Sequence, residues 1–359
     1  MTIPIRNLYY LFLYAWAKFP DGFLVEAGID DSPDLPHLFA KLLSAGTRKL
    51  FRRGLDRGYK AFTGELIGPR GRLRLDRMIK EGTQLRGTAI CDFDELTHDI
   101  LLNQILKATL TNLATSSDVQ KEMRHELRSL ARQFHDVTDT RLSADRFRQA
   151  TISRNSRMYV FLMRVCEFVF WSLMPDEHGS GVRFKQMLND EVRMSTVFEE
   201  FLRNFYQIHR AEYHVSAERP EWFVSDATRH DLALLPRMAT DITLRHADHT
   251  IIADAKFYRN ALSQSQYGER LRSQHLYQLV TYLQHEVARH PNAKLLGMLI
   301  YPEVGQSLHL RYRLLGIPVL VATIDLGKEW QQIETDLNTL LDECADAASL
   351  VETLSAAGA

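Results

Sequence analysis

Leu101, Leu102, Ile105, Leu106, Leu110 and Leu113 recur at three- and four-residue spacing, the mark of one buried helix face. The helical pattern extends from Asp94 to about Gln133. Comparable stripes predict helices over Leu38–Phe51 and Tyr159–Met174. The opening run IPIRNLYYLFLYAW is too short to span a bilayer and predicts a core helix with a polar start at Asn7. Between these helices, the stretch RRGLDRGYKAFTGELIGPRGRLRLDRMIKEGTQLRG carries turn signals at Gly64, Gly68-Pro69 and Gly71, and predicts β structure over about 52–90.

Further on, the pattern reads helix, strands, helix, strands, helix. MSTVFEEFLRNFYQIH predicts a helix capped by Ser195 or Thr196, and EYHVSAE a strand. ERLRSQHLYQLVTYLQHEVARH predicts one long amphipathic helix. AKLLGMLIYP and IPVLVATIDL are nearly continuous apolar runs, as buried central strands are. WQQIETDLNTLLDECADAASLVETL closes the chain as helix. This order predicts an α/β sheet sandwiched by helices. The turn-rich MPDEHGSG marks a boundary between an N-terminal domain, 1–180, and a C-terminal domain, 181–359. The N-terminal part combines the β-rich region with a helical region over about 94–174.

Composition narrows the functional classes. The 359 residues are 45% hydrophobic and 25% charged, with a net charge of −1, so the chain is globular and carries no overall basic field. Cys91, Cys166 and Cys344 lie far apart and fit no zinc pattern, consistent with a reduced, cytoplasmic setting. No phosphate-binding loop, repeat or membrane span is present in the sequence, so the chain is not expected to bind nucleotide that way. One region is locally basic: Arg52 to Arg86 holds ten Lys or Arg against four Asp or Glu. It reads either as a β projection that contacts phosphate or a partner, or as a solvated strand edge whose arginines discourage pairing.

The stretch TDITLRHADHTIIADAKF carries the chemistry. With a turn centred on Ala247-Asp248, Ile242 lies opposite Ala253 and Asp241 opposite Asp254. Strand alternation then places Thr250, Ile252, Asp254 and Lys256 on one face. Opposed carboxylates, roughly 5 Å apart at Cβ, repel unless a cation lies between them. Hard oxygen ligands favour Mg²⁺ or Mn²⁺, and Lys256 on the same face suits activation of water or stabilisation of a phosphate. Two acids, a metal and a lysine are the parts of metal-assisted phosphodiester hydrolysis. Gln278 and Tyr282 share a helix face, with His275 and Arg272 nearby. Glu199 and Glu200 are further acids, and spacing does not choose between them.

These residues resemble the PD-(D/E)xK nuclease motif, with Thr240 where proline is usual and Gln278/Tyr282 matching the QxxxY element of the RecB-like branch. The segments IPIRNLYYLFLYAW, LLPRMATDI, IADAKFY, SQHLYQLVTYL, MLIYP and DLGKEW together resemble the McrC family, the nuclease subunit of McrBC modification-dependent restriction systems. The resemblance implies a C-terminal PD-(D/E)xK fold, a mixed sheet flanked by helices, preceded by a mixed helical and β-rich partner-binding domain. It implies that Asp241, Asp254 and the Ala255 carbonyl hold Mg²⁺, that Lys256 is catalytic, and that Gln278 and Tyr282 orient the DNA. The implied partners are a ring of the AAA+ GTPase McrB, whose GTP hydrolysis is stimulated, and double-stranded DNA bearing modified cytosine. Arg70, Arg72 and Arg74 become candidate ring contacts. A stand-alone RecB-like nuclease and a non-enzymatic GTPase-activating adaptor are the competing readings. The retained acids argue against the adaptor.

Overall fold

The computed structural model describes residues 3–17, 32–152, 157–175, 182–184, 190–258, 262–265 and 268–356. The chain divides into two units: Met1–Gly22 together with Gln186–Ala359, and Phe23–Lys185. The first helix, α1 (Ile5–Ala17), therefore does not belong to an N-terminal domain 1–180. Its Tyr14 ring lies 5.9 Å from Phe201 and 5.6 Å from Phe205, and Asn7 Nδ2 donates to the Leu326 and Lys328 carbonyls at 2.7 and 2.8 Å. An apolar stripe reports that a helix is buried but not what buries it.

The unit Phe23–Lys185 begins with α2 (Leu35–Arg53), whose first turn is capped by the Asp34 carboxylate accepting from the His37 N–H. Then come β1 (Gly58–Leu66), β2 (Arg72–Leu73), α3 (Leu75–Glu81) and β3 (Ala89–Thr97), with the strands in antiparallel order β1-β3-β2. The helical pattern expected from Asp94 starts later, because Asp94–Thr97 pair with Gly58–Ala61 as strand. The helix face read from the sequence is α4 (Leu101–Leu113), followed by α5 (Lys121–Arg132), α6 (Ala144–Gln149) and α7 (Arg157–Ser172). Tyr159 of α7 donates to Asn103 of α4 at 2.6 Å and accepts from the Asp56 N–H at 3.1 Å, so the buried Tyr159 hydroxyl is satisfied on both sides. Most of MPDEHGSG lies outside the described residues. On either side of it, β4 (Leu173–Pro175) and β5 (Val182–Phe184) pair antiparallel, so the unit runs past residue 180.

The C-terminal unit resumes with α8 (Glu191–His209), β6 (His214–Ser216), α9 (Arg229–Leu234), β7 (Ile242–Arg245) and β8 (Thr250–Ala255). It continues with β9 (Leu262–Ser265), β10 (Gly268–Leu271), α10 (Ser273–Arg289), β11 (Leu295–Pro302), β12 (His309–Leu314), β13 (Ile317–Ile324) and α11 (Trp330–Ala356). The six-stranded sheet runs β12-β13-β11-β8-β7-β6, with β11 parallel to β8 and β13 and the remaining pairs antiparallel. It is the expected mixed sheet flanked by helices. Ile252, Leu299, Val319 and Val321 meet Leu279 and Leu283 of α10 on one face. On the other face, Phe257 packs edge-on to Phe198 of α8 at 5.8 Å.

Two local expectations change, and one strand was not anticipated. Helix α8 starts at Glu191 with Asp190 as cap, not at Ser195 or Thr196. Glu269–Leu271 pair with β9 and do not open α10. The edge strand β12, with exposed Arg311, Tyr312 and Arg313, has too little apolar alternation to stand out. Among the described residues, no helix is long and apolar enough to cross a membrane. All three cysteines are buried and free.

A fragment beginning at residue 186 keeps the whole acid-lysine motif but loses α1. It uncovers Phe201 and Phe205, both fully buried in the intact unit. Each such side chain contributes roughly 1.5–3 kcal/mol by burial. The expected outcome is a fragment that is insoluble or lacks a cooperative melt; a soluble fragment with the unit's native melting transition would show α1 to be dispensable.

Candidate active site

Strand β8 lies in the middle of the sheet and is buried along its length. Its pairing with β7 has the register read from the sequence, Ile242 opposite Ala253. Asp241 sits just before β7 and Lys256 just after β8, so the motif gathers where the two strands open.

Lys256 Nζ lies between the two acids, 2.9 Å from Asp254 Oδ1 and 3.3 Å from Asp241 Oδ2. Asp241 Oδ2 also accepts from the Ala255 N–H at 3.0 Å. The Asp254 side chain is 1% exposed, and its Oδ2 is buried without a hydrogen-bond partner. Burial, and then the charge of Asp241, push the Asp254 carboxyl far above the ordinary carboxylate range. Burial opposes the Lys256 charge, but Asp254 and Asp241 outweigh it and hold the ammonium protonated. An orphaned buried oxygen beside a second carboxylate suits a hard divalent cation, and the ammonium supplies the positive charge between them in its stead.

Helix α8 contributes a polar row, of which the sequence reading singled out Ser195 only as a cap candidate and Glu199 only as an acid indistinguishable from Glu200. Ser195, Glu199 and Arg203 are four residues apart and share one helix face. Ser195 Oγ accepts from the Phe257 N–H at 3.2 Å, and Arg203 Nη1 donates to the Asp241 carbonyl at 3.0 Å. Between them, burial and then the charge of Asp241 push the Glu199 carboxyl up to about 7. The field of the motif thus falls on Glu199. The signal was present in the sequence as three polar positions interrupting Met194, Val197, Phe198, Phe201 and Leu202.

Thr240 occupies the position before the first acid for a local reason. Its N–H donates to the Glu218 carbonyl at 2.9 Å, and its hydroxyl accepts from the Glu218 N–H at 3.0 Å. Proline would lose the first of these bonds. Arg245 then fastens the strand end, paired at 2.7 Å with Glu218 and at 2.8 Å with the buried Glu286 of α10.

On α10, Gln278 Nε2 donates to the Tyr282 hydroxyl at 2.9 Å, and Tyr282 is buried against the sheet. The structure joins this pair to each other and shows no bond from either to the motif. His275 on the same helix contacts the Tyr301 hydroxyl at 3.0 Å and is held neutral, its pKa lowered to about 4 by burial and then by the Lys256 charge.

Residues 22–302 match the model of the McrBC 5-methylcytosine restriction system component family. A type IV methyl-directed restriction enzyme, EcoKMcrBC of Escherichia coli K12, is 31% identical over 344 residues, 95% of this chain and 98% of its relative. The chain belongs to the McrBC family. A chain in the refined half-complex of Thermococcus gammatolerans McrB AAA+ hexamers with bound McrC shares the fold, with a TM-score of 0.52 and 17% identity over 95% of this chain and 76% of that one.

This McrBC-family chain is thus a component of a restriction system. Its other candidate residues lie in the unit Phe23–Lys185, where several cations of the basic stretch, which outnumber its own acids ten to four, have acidic partners. Arg70 lies 4.0 Å from the Phe93 ring centroid and 3.6 Å from Glu95; Arg74 pairs with Asp76 and Asp92. Arg77, Arg86 and Lys60 pair with Glu81, Glu65 and Asp99. Three of these acids, Asp92, Glu95 and Asp99, come from beyond the basic stretch, brought alongside by strand pairing. Arg72 is exposed and has no ion pair among the described residues.

Proposed function

We propose that this chain is the DNA-cleaving subunit of a GTP-dependent restriction complex directed at modified cytosine. The observation that carries the reading is the convergence of Asp241, Asp254 and Lys256, with one Asp254 oxygen buried and unpartnered. Mg²⁺ or Mn²⁺ would be held by Asp241, Asp254 and the Ala255 carbonyl, with water and DNA phosphate completing an oxygen shell. Such an ion, when bound, would supply Lewis acidity for phosphodiester hydrolysis. Lys256 orients the attacking water or neutralises charge developing on the phosphate. Glu199 adds a third carboxyl to the same field. Gln278 and Tyr282 position the strand from α10. No nucleotide is assigned to this chain; GTP belongs to the partner.

The direct test is cleavage of 5-methylcytosine-containing duplex by the chain with its AAA+ GTPase. Cleavage should require a divalent cation and stop when EDTA removes it. Cleavage that persists in EDTA would sink the metal assignment.

The partner is read as a ring of McrB-type AAA+ subunits, as in the archaeal complex that shares the fold. Support comes from the β1–β3 region, where Ile67 and Leu85 are each 89% exposed and Leu75 and Ile79 of the same stretch are exposed as well. Apolar exposure on this scale marks interaction surfaces. Because Arg70 and Arg74 already have intrachain partners, reversing their charge also disturbs this unit. Ile67→Asp combined with Leu85→Asp is the cleaner variant. It is expected to reduce stimulation of the partner's GTPase at least about ten-fold, the loss of about 1.4 kcal/mol of association, with no change in melting temperature. A stimulation curve superimposable on wild type would remove this surface from the interface.

A further inference from the structure

Between β6 and β7 the chain leaves the sheet and returns only at Thr240. This excursion is firmly anchored. Trp222 Nε1 donates to the Pro236 carbonyl at 2.6 Å, the Phe223 N–H to His285 Nδ1 at 3.1 Å, and Arg289 to the Glu221 carbonyl at 2.7 Å. Helix α9 is closed by a reciprocal Thr228–Asp231 cap. Met238 is buried in the core beneath α10, with Trp222 packed against the same cluster.

The anchored segment encloses a trough of about 610 Å³ whose lining includes Arg219, Glu221, Trp222, Leu235, Arg237 and Met238. Phe223, Val224 and Leu234 of the same segment are exposed. Glu218 and Glu221 pair with Arg245 and Arg289, and Asp231 caps α9; Arg219, Arg229 and Arg237 have no ion pair among the described residues, and neither has Asp226. Nothing in the reaction described above uses these arginines or the apolar floor.

We infer that this trough is a DNA-binding subsite beside the nuclease centre, a reading that rests on the proposed function. Arg219 and Arg237 take backbone phosphates, and the apolar floor takes the sugar and base faces of the same strand. The planar guanidinium fork suits phosphate oxygens, and apolar side chains set between cations suit deoxyribose and unstacked bases. Location supports the same occupant. Arg237 precedes Asp241 by four positions, so at most about 14 Å of chain separates them. With one phosphate per about 3.4 Å of helix axis on each strand, the Arg237 end of the subsite lies within about four nucleotides of Asp241. A protein partner would be expected to bring acids to these arginines and would have no reason to sit next to the carboxylate pair.

The experiment is duplex binding by the full-length chain, measured by fluorescence anisotropy in EDTA over a range of salt concentrations. Arg219→Ala combined with Arg237→Ala should weaken binding about ten-fold and reduce the slope of log K against log salt by about 1.8, the loss of two phosphate contacts. Phe223→Ala should weaken binding and leave the slope unchanged, because no counterion is released at an apolar contact. Wild-type affinity and slope in the double variant would overturn the subsite while leaving Asp254-dependent cleavage, and hence the nuclease reading, intact. Retained DNA binding with lost association to the AAA+ partner would reassign the trough to a protein and overturn it equally. A wild-type chain that binds no duplex would likewise overturn the subsite, while the nuclease reading stands or falls separately on cleavage by the chain with its AAA+ partner.

Discussion

Asp254→Ala is expected to lower DNA cleavage by at least about a thousand-fold, a loss of about 4 kcal/mol of transition-state stabilisation, while the chain stays folded. The buried acid has no partner for one oxygen and shares the other with Lys256, so it is held at a cost in the metal-free protein. Removing it relieves that cost. Metal-free Asp254→Ala should therefore melt no lower than wild type. Wild type should gain stability on addition of Mg²⁺ and the variant should not. The pH dependence follows from the same cause. A carboxyl whose folded pKa is raised favours the folded state at low pH, and that contribution is lost as pH rises through the folded value. Asp254 and Glu199, the latter near 7, both act in this sense. The metal-free wild type should lose more stability than the variant between about pH 5 and pH 8. Cleavage by Asp254→Ala at the wild-type rate would remove the site, and equal responses of both proteins to Mg²⁺ would remove the metal from it.

Lys256→Ala should abolish cleavage to a similar degree but with the opposite effect on stability. Taking away the ammonium leaves two carboxylates opposed with no cation between them. Deleting one member of a buried charge cluster costs about 3–5 kcal/mol. The metal-free alanine variant should therefore melt well below wild type and regain most of that loss in Mg²⁺. Lys256→Arg should be poorly active too, since a planar fork does not replace a compact point charge on a single water. Full activity in the arginine variant would show that charge alone is needed. A Lys256→Ala protein as stable as wild type without metal would show that the ammonium does not bridge the acids.

The central hairpin was legible in the sequence because strand alternation and a four-residue turn leave one register that keeps Ile242 and Ala253 together. The two apolar runs that became β11 and β13 were legible for a similar reason: each is apolar enough to be buried on both faces. What was missed depends on partners far away in the chain. The Ser195–Glu199–Arg203 row carries meaning only once α8 lies across the end of β7 and β8. The cations of β1–β3 looked unmatched because three of their acids, Asp92, Glu95 and Asp99, fall beyond Arg86. The trough before Asp241 has no periodicity at all, being held by side chain-to-backbone bonds from Trp222 and Arg289.

The return of α1 to the C-terminal unit sets a timetable for biosynthesis. The Leu326 carbonyl that Asn7 bonds lies 319 residues later in the chain. At roughly 5–20 residues per second, that carbonyl is made about 15–60 s after Asn7. The first native cover of α1, Phe201 and Phe205 of α8, is made only after the whole of Phe23–Lys185, which by then has all its own residues and is free to fold. An apolar helix thus waits uncovered through a large part of translation, the circumstance in which a chaperone's hold on α1 competes with aggregation.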